Sequence, residues 1–258
     1  MMPLALVTGA TGGIGSVIVQ RLLREGYDVI ACGRNQAKLD VLRVTHTSIL
    51  STPCFDVRQS LDAWQSTITA TAEAFGVPDL LVIAHGAAPL PVATIDLTEA
   101  QAREVWDTDV WGTFAACKTV GRFMLDAGHG CIVIVSSLHA RQTYPSRVPY
   151  ATAKSALSGM ARALAVEWGR HKIRTNVLLP WQVRGERSTQ MAETLREETG
   201  EDLLELYRQR SPMRRLLEPE DIAHAVVCCA QNPALNGAEI VLDGGVSQSM
   251  WYQGYKES

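Results

Sequence analysis

The chain has no apolar run close to the roughly 20 residues that a membrane-spanning helix requires. Its first residues, Met1 to Val7, are apolar but lack the basic segment that opens a secretory signal. They run straight into a glycine turn and read as a first strand. Charge of one sign is also missing: 24 Lys and Arg against 27 Asp and Glu leave a net charge of −3. No general field therefore draws the chain to nucleic acid or to an anionic membrane. Six cysteines (Cys32, Cys54, Cys117, Cys131, Cys228, Cys229) occur without a CxxC spacing, and most lie in apolar runs. That pattern predicts buried free thiols in a reducing cytoplasm, with no disulfide and no metal centre. No repeat, low-complexity tract or linker divides the 258 residues. With 47% hydrophobic and 20% charged residues, residues 1–258 read as a single domain with ample core.

What is present is an alternation of strand and helix signals. Strands are expected at Pro3 to Thr8, Asp28 to Cys32, Ser48 to Phe55 (weakened by Pro53), Asp79 to Ala84, Cys131 to Ser136, Ile173 to Leu179 and Ala238 to Leu242. Helices are expected at Ile14 to Glu25, Asn35 to Val44, Gln59 to Phe75, Thr98 to Leu125, Val148 to Arg170 and Glu218 to Ala230. The run CIVIVS is β-branched and continuous, the mark of a strand buried on both faces. The order predicts an α/β fold, a doubly wound parallel sheet of about seven strands with helices on both faces. Trp181 to Leu217 is long for a connection and reads as a substrate loop with some helix of its own. Between Arg184 and Arg215 it carries seven basic and seven acidic residues, so it sets no one-signed field. The tail from Val246 carries Met250, Trp251, Tyr252 and Tyr255, which suit docking on another subunit or over a pocket as well as a loose terminus.

TGATGGIG (Thr8 to Gly15) joins the first strand to the first helix. Glycines there let the backbone turn sharply and let a pyrophosphate approach the helix N-terminus, which points to dinucleotide binding. Candidate contacts are Gly9, Thr11, Gly13, Ile14 and Gly15. The spacing is not GxGxxG; it resembles the TGxxxGxG turn of the short-chain dehydrogenase/reductase family. Chain length, strand order and the motifs below extend that resemblance over almost the whole chain, and it weakens across Trp181 to Leu217.

At the end of the second strand an acidic residue would bind the ribose hydroxyls of NAD and repel a 2′-phosphate. Here the sequence is Cys32-Gly33-Arg34-Asn35. Arg34 can fork onto a phosphate, so NADP(H) is favoured and NAD(H) stays possible; otherwise Arg34 simply opens the second helix in solvent. Asp56-Val57 resembles the family's adenine-contacting dipeptide, with Asp56 as N-cap of the third helix the alternative.

Tyr150 and Lys154 form YATAK, and four residues on a helix puts both on one face. A free tyrosine has a pKa near about 10, and a neighbouring ammonium stabilises the tyrosinate. Ser137 lies thirteen residues earlier, at the C-terminal end of a buried strand where ligands of open parallel sheets bind; Ser136 is the neighbouring alternative. The arrangement resembles the family's Ser–Tyr–Lys triad. By that resemblance Tyr150 exchanges a proton with the substrate oxygen, Ser137 orients that oxygen, and Lys154 holds the nicotinamide ribose and lowers the tyrosine pKa.

Departures from the family pattern fall at four places. NNAG after the fourth strand reads Ile83-Ala84-His85-Gly86, which keeps Gly86 but puts Ala84 at the asparagine position. The asparagine of the long helix, three residues before a glycine, is Asp109 before Gly112. The segment Asn176 to Pro180 (NVLLP) is followed by Trp181 instead of glycine. Gly185 stands near the threonine that contacts the carboxamide, leaving Val183 and its backbone for that role. On the substrate side the candidates are His139, Tyr144, Trp181 and Arg184, with Arg141 and Arg187 as neighbours; Trp181 suits a packing wall.

The resemblance implies an oxidoreductase that interconverts a small-molecule carbonyl and an alcohol, assembled as a homotetramer or homodimer through the two long helices. The departures also suit a dinucleotide-binding sensor or scaffold without turnover, and the fold allows epimerisation or dehydration with the same cofactor.

Overall fold

The computed structural model describes residues 2–46, 48–87 and 89–249, without the side chains of Arg187, Leu195, Glu198 and Thr199. Its strands are β1 (Leu4–Thr8), β2 (Asp28–Cys32), β3 (Ile49–Ser51), β4 (Leu80–Ile83), β5 (Gly130–Val135), β6 (Ile173–Pro180) and β7 (Glu239–Leu242). They form one parallel sheet in the order β3-β2-β1-β4-β5-β6-β7. The α-helices are α1 (Gly13–Arg24), α2 (Gln36–Thr45), α3 (Leu61–Phe75), α4 (Glu99–Trp106), α5 (Gly112–Ala127), α6 (Val148–Trp168), α7 (Glu186–Thr199), α8 (Leu203–Arg210) and α9 (Pro219–Gln231).

Period-two alternation along each strand decides which helices cover which face. In β5, Ile132 and Ile134 join Trp64 and Ile68 of α3, Val120 and Met124 of α5, and Leu157 and Ala161 of α6. The intervening Cys131, Val133 and Val135 join Ile18 and Leu22 of α1, Leu39 of α2, and Ile222 and Val226 of α9. Both faces of the sheet are thus buried, which is why its strands read as continuous apolar runs. The expected Rossmann-type, doubly wound fold is observed. Winding reverses between β1 and β4, so the crevice at their C-terminal ends is where a ligand of such a sheet binds.

Several boundaries differ from the sequence reading. β3 is only Ile49–Ser51; Pro53 has no N–H, and the chain beyond it touches the sheet through one isolated bridge, Gly33 to Cys54. The expected helix from Thr98 to Leu125 is realised as α4 and α5 joined through a π-helical turn, Asp107–Trp111, in which the Gly112 N–H bonds to the Asp107 carbonyl. Ser60, not Asp56, caps α3, its side chain accepting from the Ala63 N–H. Asp56 instead accepts a two-pronged bond from Arg58. All six cysteines are free, but Cys54 and Cys228 are exposed, against the expectation of burial. Burial pushes the Cys32 and Cys117 thiols up to about 12.

The segment Trp181 to Leu217 carries α7 and α8. Its base is closed by the bridge between Val183 and Leu217, and its small core is Ala192, Leu203, Tyr207 and Leu216 with Trp181 and Met191 against it. Of the tail, Val246–Gln248 forms a 3-10 turn, while Met250, Trp251, Tyr252 and Tyr255 lie outside the described residues. Among the described residues, no helix is long and apolar enough to cross a membrane. Trp106, Trp111, Phe114, Val148 and Val166 expose apolar surface on α4, the π turn, α5 and α6.

Candidate active site

The turn after β1 is shaped by close approach. Gly9 has φ +67°, and a side chain there would meet the His85 nitrogen at 2.6 Å and the Ala84 carbonyl oxygen at 2.7 Å. A Cβ on Gly15 would lie 2.1 Å from the Gly9 carbonyl oxygen. These contacts lock the turn against the loop after β4. Gly13 is different: a Cβ there would meet no atom within 4 Å. α1 starts at Gly13 with no side-chain cap and no acid in its first turn. Its first N–H groups therefore have no side-chain cap, the condition under which a helix N-terminus accepts an anion. Ile14 packs at the edge of the core. The Thr11 side chain stands 3.0 Å from where a Gly33 Cβ would be, so it connects this turn to the end of β2.

Arg34 follows Gly33 with its side chain 59% exposed and 4.0 Å from Asp56. Asp56 is engaged by Arg58, whose hydrogen bonds hold the carboxyl below its ordinary range. The Arg34 guanidinium thus stays in solvent at the mouth of the crevice. Val57 is buried, its carbonyl accepting from the Trp64 indole.

Ser137 follows β5 and caps a short 3-10 turn, its hydroxyl accepting from the His139 N–H at 3.2 Å. Ser136, the alternative, is committed elsewhere: its hydroxyl donates to the Lys154 carbonyl at 2.9 Å. Tyr150 and Lys154 share one face of α6, with Lys154 Nζ 5.4 Å from the Tyr150 ring centroid. Lys154 is buried, and its ammonium approaches Asp109 Oδ2 at 3.0 Å without hydrogen-bond alignment. Asp109 Oδ1 accepts from the Ala87 N–H at 2.7 Å. A side chain on Gly86 would meet Lys154 Nζ at 3.0 Å. Beside them His85 Nδ1 pairs with Thr8 Oγ1 at 2.7 Å, and its buried Nε2 has no well-aligned hydrogen-bond partner among the described residues. Burial holds the His85 pKa down to about 4, so the ring is neutral at neutral pH.

On the substrate side the rings of His139 and Tyr150 meet edge-on at 5.3 Å, and those of His139 and Tyr144 at 4.7 Å. Burial first, then Arg147, keeps the His139 pKa near about 4. Trp181 packs edge-on against Tyr207 at 5.5 Å. Pro180 ends β6 beside Leu242. In the parallel bridge, Leu217 bonds to the flanking Gln182 and Arg184, which turns Val183's own N–H and C=O the other way. Arg184 pairs with Glu218 at 2.9 Å and Arg141 with Glu239 at 2.6 Å, so both charges are spent at the surface. The Arg187 side chain lies outside the described residues.

Sequence reasoning passed over Arg147. It is buried, donates to the Pro89 carbonyl at 2.5 Å and to the Tyr144 hydroxyl at 3.2 Å, and lies over the Tyr144 ring at 5.3 Å. One signal was available: from residue 127 to residue 166 the chain contains no Asp or Glu, so nothing nearby in sequence balances it.

The family model described as enoyl-(acyl carrier protein) reductase matches residues 9–247. Gluconate 5-dehydrogenase of Gluconobacter oxydans is 31% identical over 258 aligned residues, covering 95% of each chain. D-threitol dehydrogenase of Mycolicibacterium smegmatis is 32% identical, covering 93% of this chain and 91% of its own. Among solved structures, a variant of actinorhodin polyketide ketoreductase with NADPH superposes with a TM-score of 0.89 at 27% identity, covering 96% of this chain and 98% of that one. Relatives so similar along nearly their full length, joined to a family model that reaches from the glycine turn past β7, show that the chain belongs to the short-chain dehydrogenase/reductase family of oxidoreductases.

Proposed function

We propose that the protein interconverts a carbonyl and a secondary alcohol by hydride transfer with NADP(H), Tyr150 exchanging the proton. The observation that carries this reading is the meeting of Tyr150, Lys154 and Gly86 at the C-terminal ends of β4 and β5, beside the open N-terminus of α1. When bound, the nicotinamide supplies the hydride chemistry. The open space at Gly13 suits the pyrophosphate, and the exposed Arg34 suits the 2′-phosphate. NADPH in the ketoreductase structure supports the same preference. Val183 suits the carboxamide through its backbone, with Pro180 beside it. Ser137 orients the substrate oxygen, Tyr150 gives or takes its proton, and Lys154 binds the ribose and favours the tyrosinate.

The substrate enters beneath α7 and α8, with His139, Tyr144 and Trp181 as its walls. The apolar surface on α4, α5 and α6 suits assembly into a homodimer or homotetramer. The Asp109–Lys154 pair favours a second reading, a dinucleotide-binding sensor, because the carboxylate partly cancels the charge that would act on Tyr150. Tyr150→Phe separates the two. Wild-type turnover of an alcohol panel that falls at least about 100-fold in the variant, with NADPH fluorescence titration unchanged, is the enzyme outcome. Tight NADPH binding by a wild type without turnover is the sensor outcome.

A further inference from the structure

We propose that Arg147 is the anchor for a carboxylate group on the substrate. The inference rests on the oxidoreductase reading only for where the reacting carbon lies.

Arg147 is 7% exposed. A buried guanidinium without a counterion is costly, and among the described residues no carboxylate pairs with it. Arg174 shows what a structural arginine looks like in this fold: its guanidinium donates to the carbonyls of Cys229, Leu235 and Ala230. Arg147 has one carbonyl, that of Pro89, on Nη1. Its Nη2 meets the Tyr144 hydroxyl at 3.2 Å and the Met191 thioether at 3.5 Å. Its Nε is buried and has no hydrogen-bond partner among the described residues.

Nε and Nη2 form the side-on fork of a guanidinium; here Nε is vacant, and Nη2 has the Tyr144 hydroxyl and a weak sulfur acceptor. A carboxylate would take both N–H groups at once, displacing Met191. The guanidinium is joined to the reacting centre by a continuous wall of rings. Tyr144 lies under the guanidinium, His139 meets Tyr144, and Tyr150 meets His139. Met191 belongs to α7, so the anion would sit where the segment from Trp181 to Leu217 covers the site. A single planar fork matches a planar monoanion, whereas a phosphate dianion would call for further cations.

The test uses the full chain loaded with NADPH. Melting temperature is followed against tartrate and gluconate, and against their neutral counterparts threitol and glucitol, at matched ionic strength. The two carboxylates should raise the melting temperature of the wild type, and the polyols should not. Arg147→Met should abolish the response. Arg147→Lys, which keeps the charge and loses the fork, should weaken apparent affinity by roughly 10-fold or more and carries the test if the Met variant does not fold. Equal responses to acids and polyols, no response to either acid, or an unchanged response in the variants overturns the proposal. Reduction of NADP by neutral secondary alcohols is measured in parallel. If it proceeds equally in wild type and Arg147→Met while the acids have no effect, the oxidoreductase reading stands and the anchor falls. If the acids bind through Arg147 but no alcohol is turned over, the anchor stands and the oxidoreductase reading falls.

Discussion

Lys154 Nζ lies 3.0 Å from Asp109 Oδ2, with both side chains buried. In the family pattern an asparagine stands at this place in the long helix, so the lysine would act on Tyr150 without a neighbouring carboxylate. Here its charge is shared. A buried ammonium and carboxylate at this distance attract strongly, and what Asp109 takes from Lys154 is unavailable to a tyrosinate.

Asp109→Asn is expected to retain or raise turnover, because the amide oxygen can still accept from the Ala87 N–H while Lys154 acts undivided on Tyr150. Stability should fall by roughly 3–5 kcal/mol as the buried Lys154 ammonium loses its partner. Steady-state turnover and denaturation curves check both. Complete loss of turnover in a folded variant would show that the carboxylate has a role of its own.

Gly13→Ala and Gly15→Ala separate a cofactor cradle from a merely tight turn. Next to Gly13 the protein leaves open space, so alanine should leave the melting temperature within a few degrees and still weaken NADPH binding about 10-fold or more by filling the place of the pyrophosphate. At Gly15 the new methyl would stand 2.1 Å from the Gly9 oxygen, so alanine should cost about 1–3 kcal/mol of stability as well. Equal effects of the two substitutions on stability and on binding would contradict the assignment.

Arg34→Ala tests the choice of cofactor. Loss of a charge-assisted contact of roughly 1.5–3 kcal/mol should weaken NADPH by about 10- to 100-fold and leave NADH within about two-fold. Isothermal titration with both nucleotides reads it. A parallel loss for both would place Arg34 in the fold and not on the phosphate.

His85 predicts an acid sensitivity. Its pKa falls from the ordinary 6.5 to about 4 through burial, so between these values the unfolded chain binds a proton that the folded one refuses. Stability is whole above about pH 6.5, declines as pH falls toward about 4, and loses roughly 3 kcal/mol in all from this group. His85→Asn, which cannot ionise, should flatten that part of the curve of unfolding free energy against pH. A slope unchanged by the substitution would remove His85 as its source.

Much of this protein was legible one residue at a time. The run CIVIVS announced a strand buried on both faces, and the glycines of Thr8 to Gly15 announced a turn at a helix N-terminus. YATAK put Tyr150 and Lys154 on one helical face. These are local statements, set by side-chain period and backbone sterics, and the fold preserved them. Tertiary structure decided the rest, because it depends on which distant segments meet. Only the π turn packed against α6 brings Asp109 onto Lys154. The bond from Ser136 to the Lys154 carbonyl ties up that hydroxyl, whereas the Ser137 hydroxyl accepts from the His139 N–H. Arg184 looked available in the sequence and is taken by Glu218 from another segment. Arg147 was passed over in the sequence and is enclosed by Pro89, Tyr144 and Met191. Burial of a charge follows from enclosure by chain segments far apart in sequence; the acid-free stretch around Arg147 tells only that no local partner balances it.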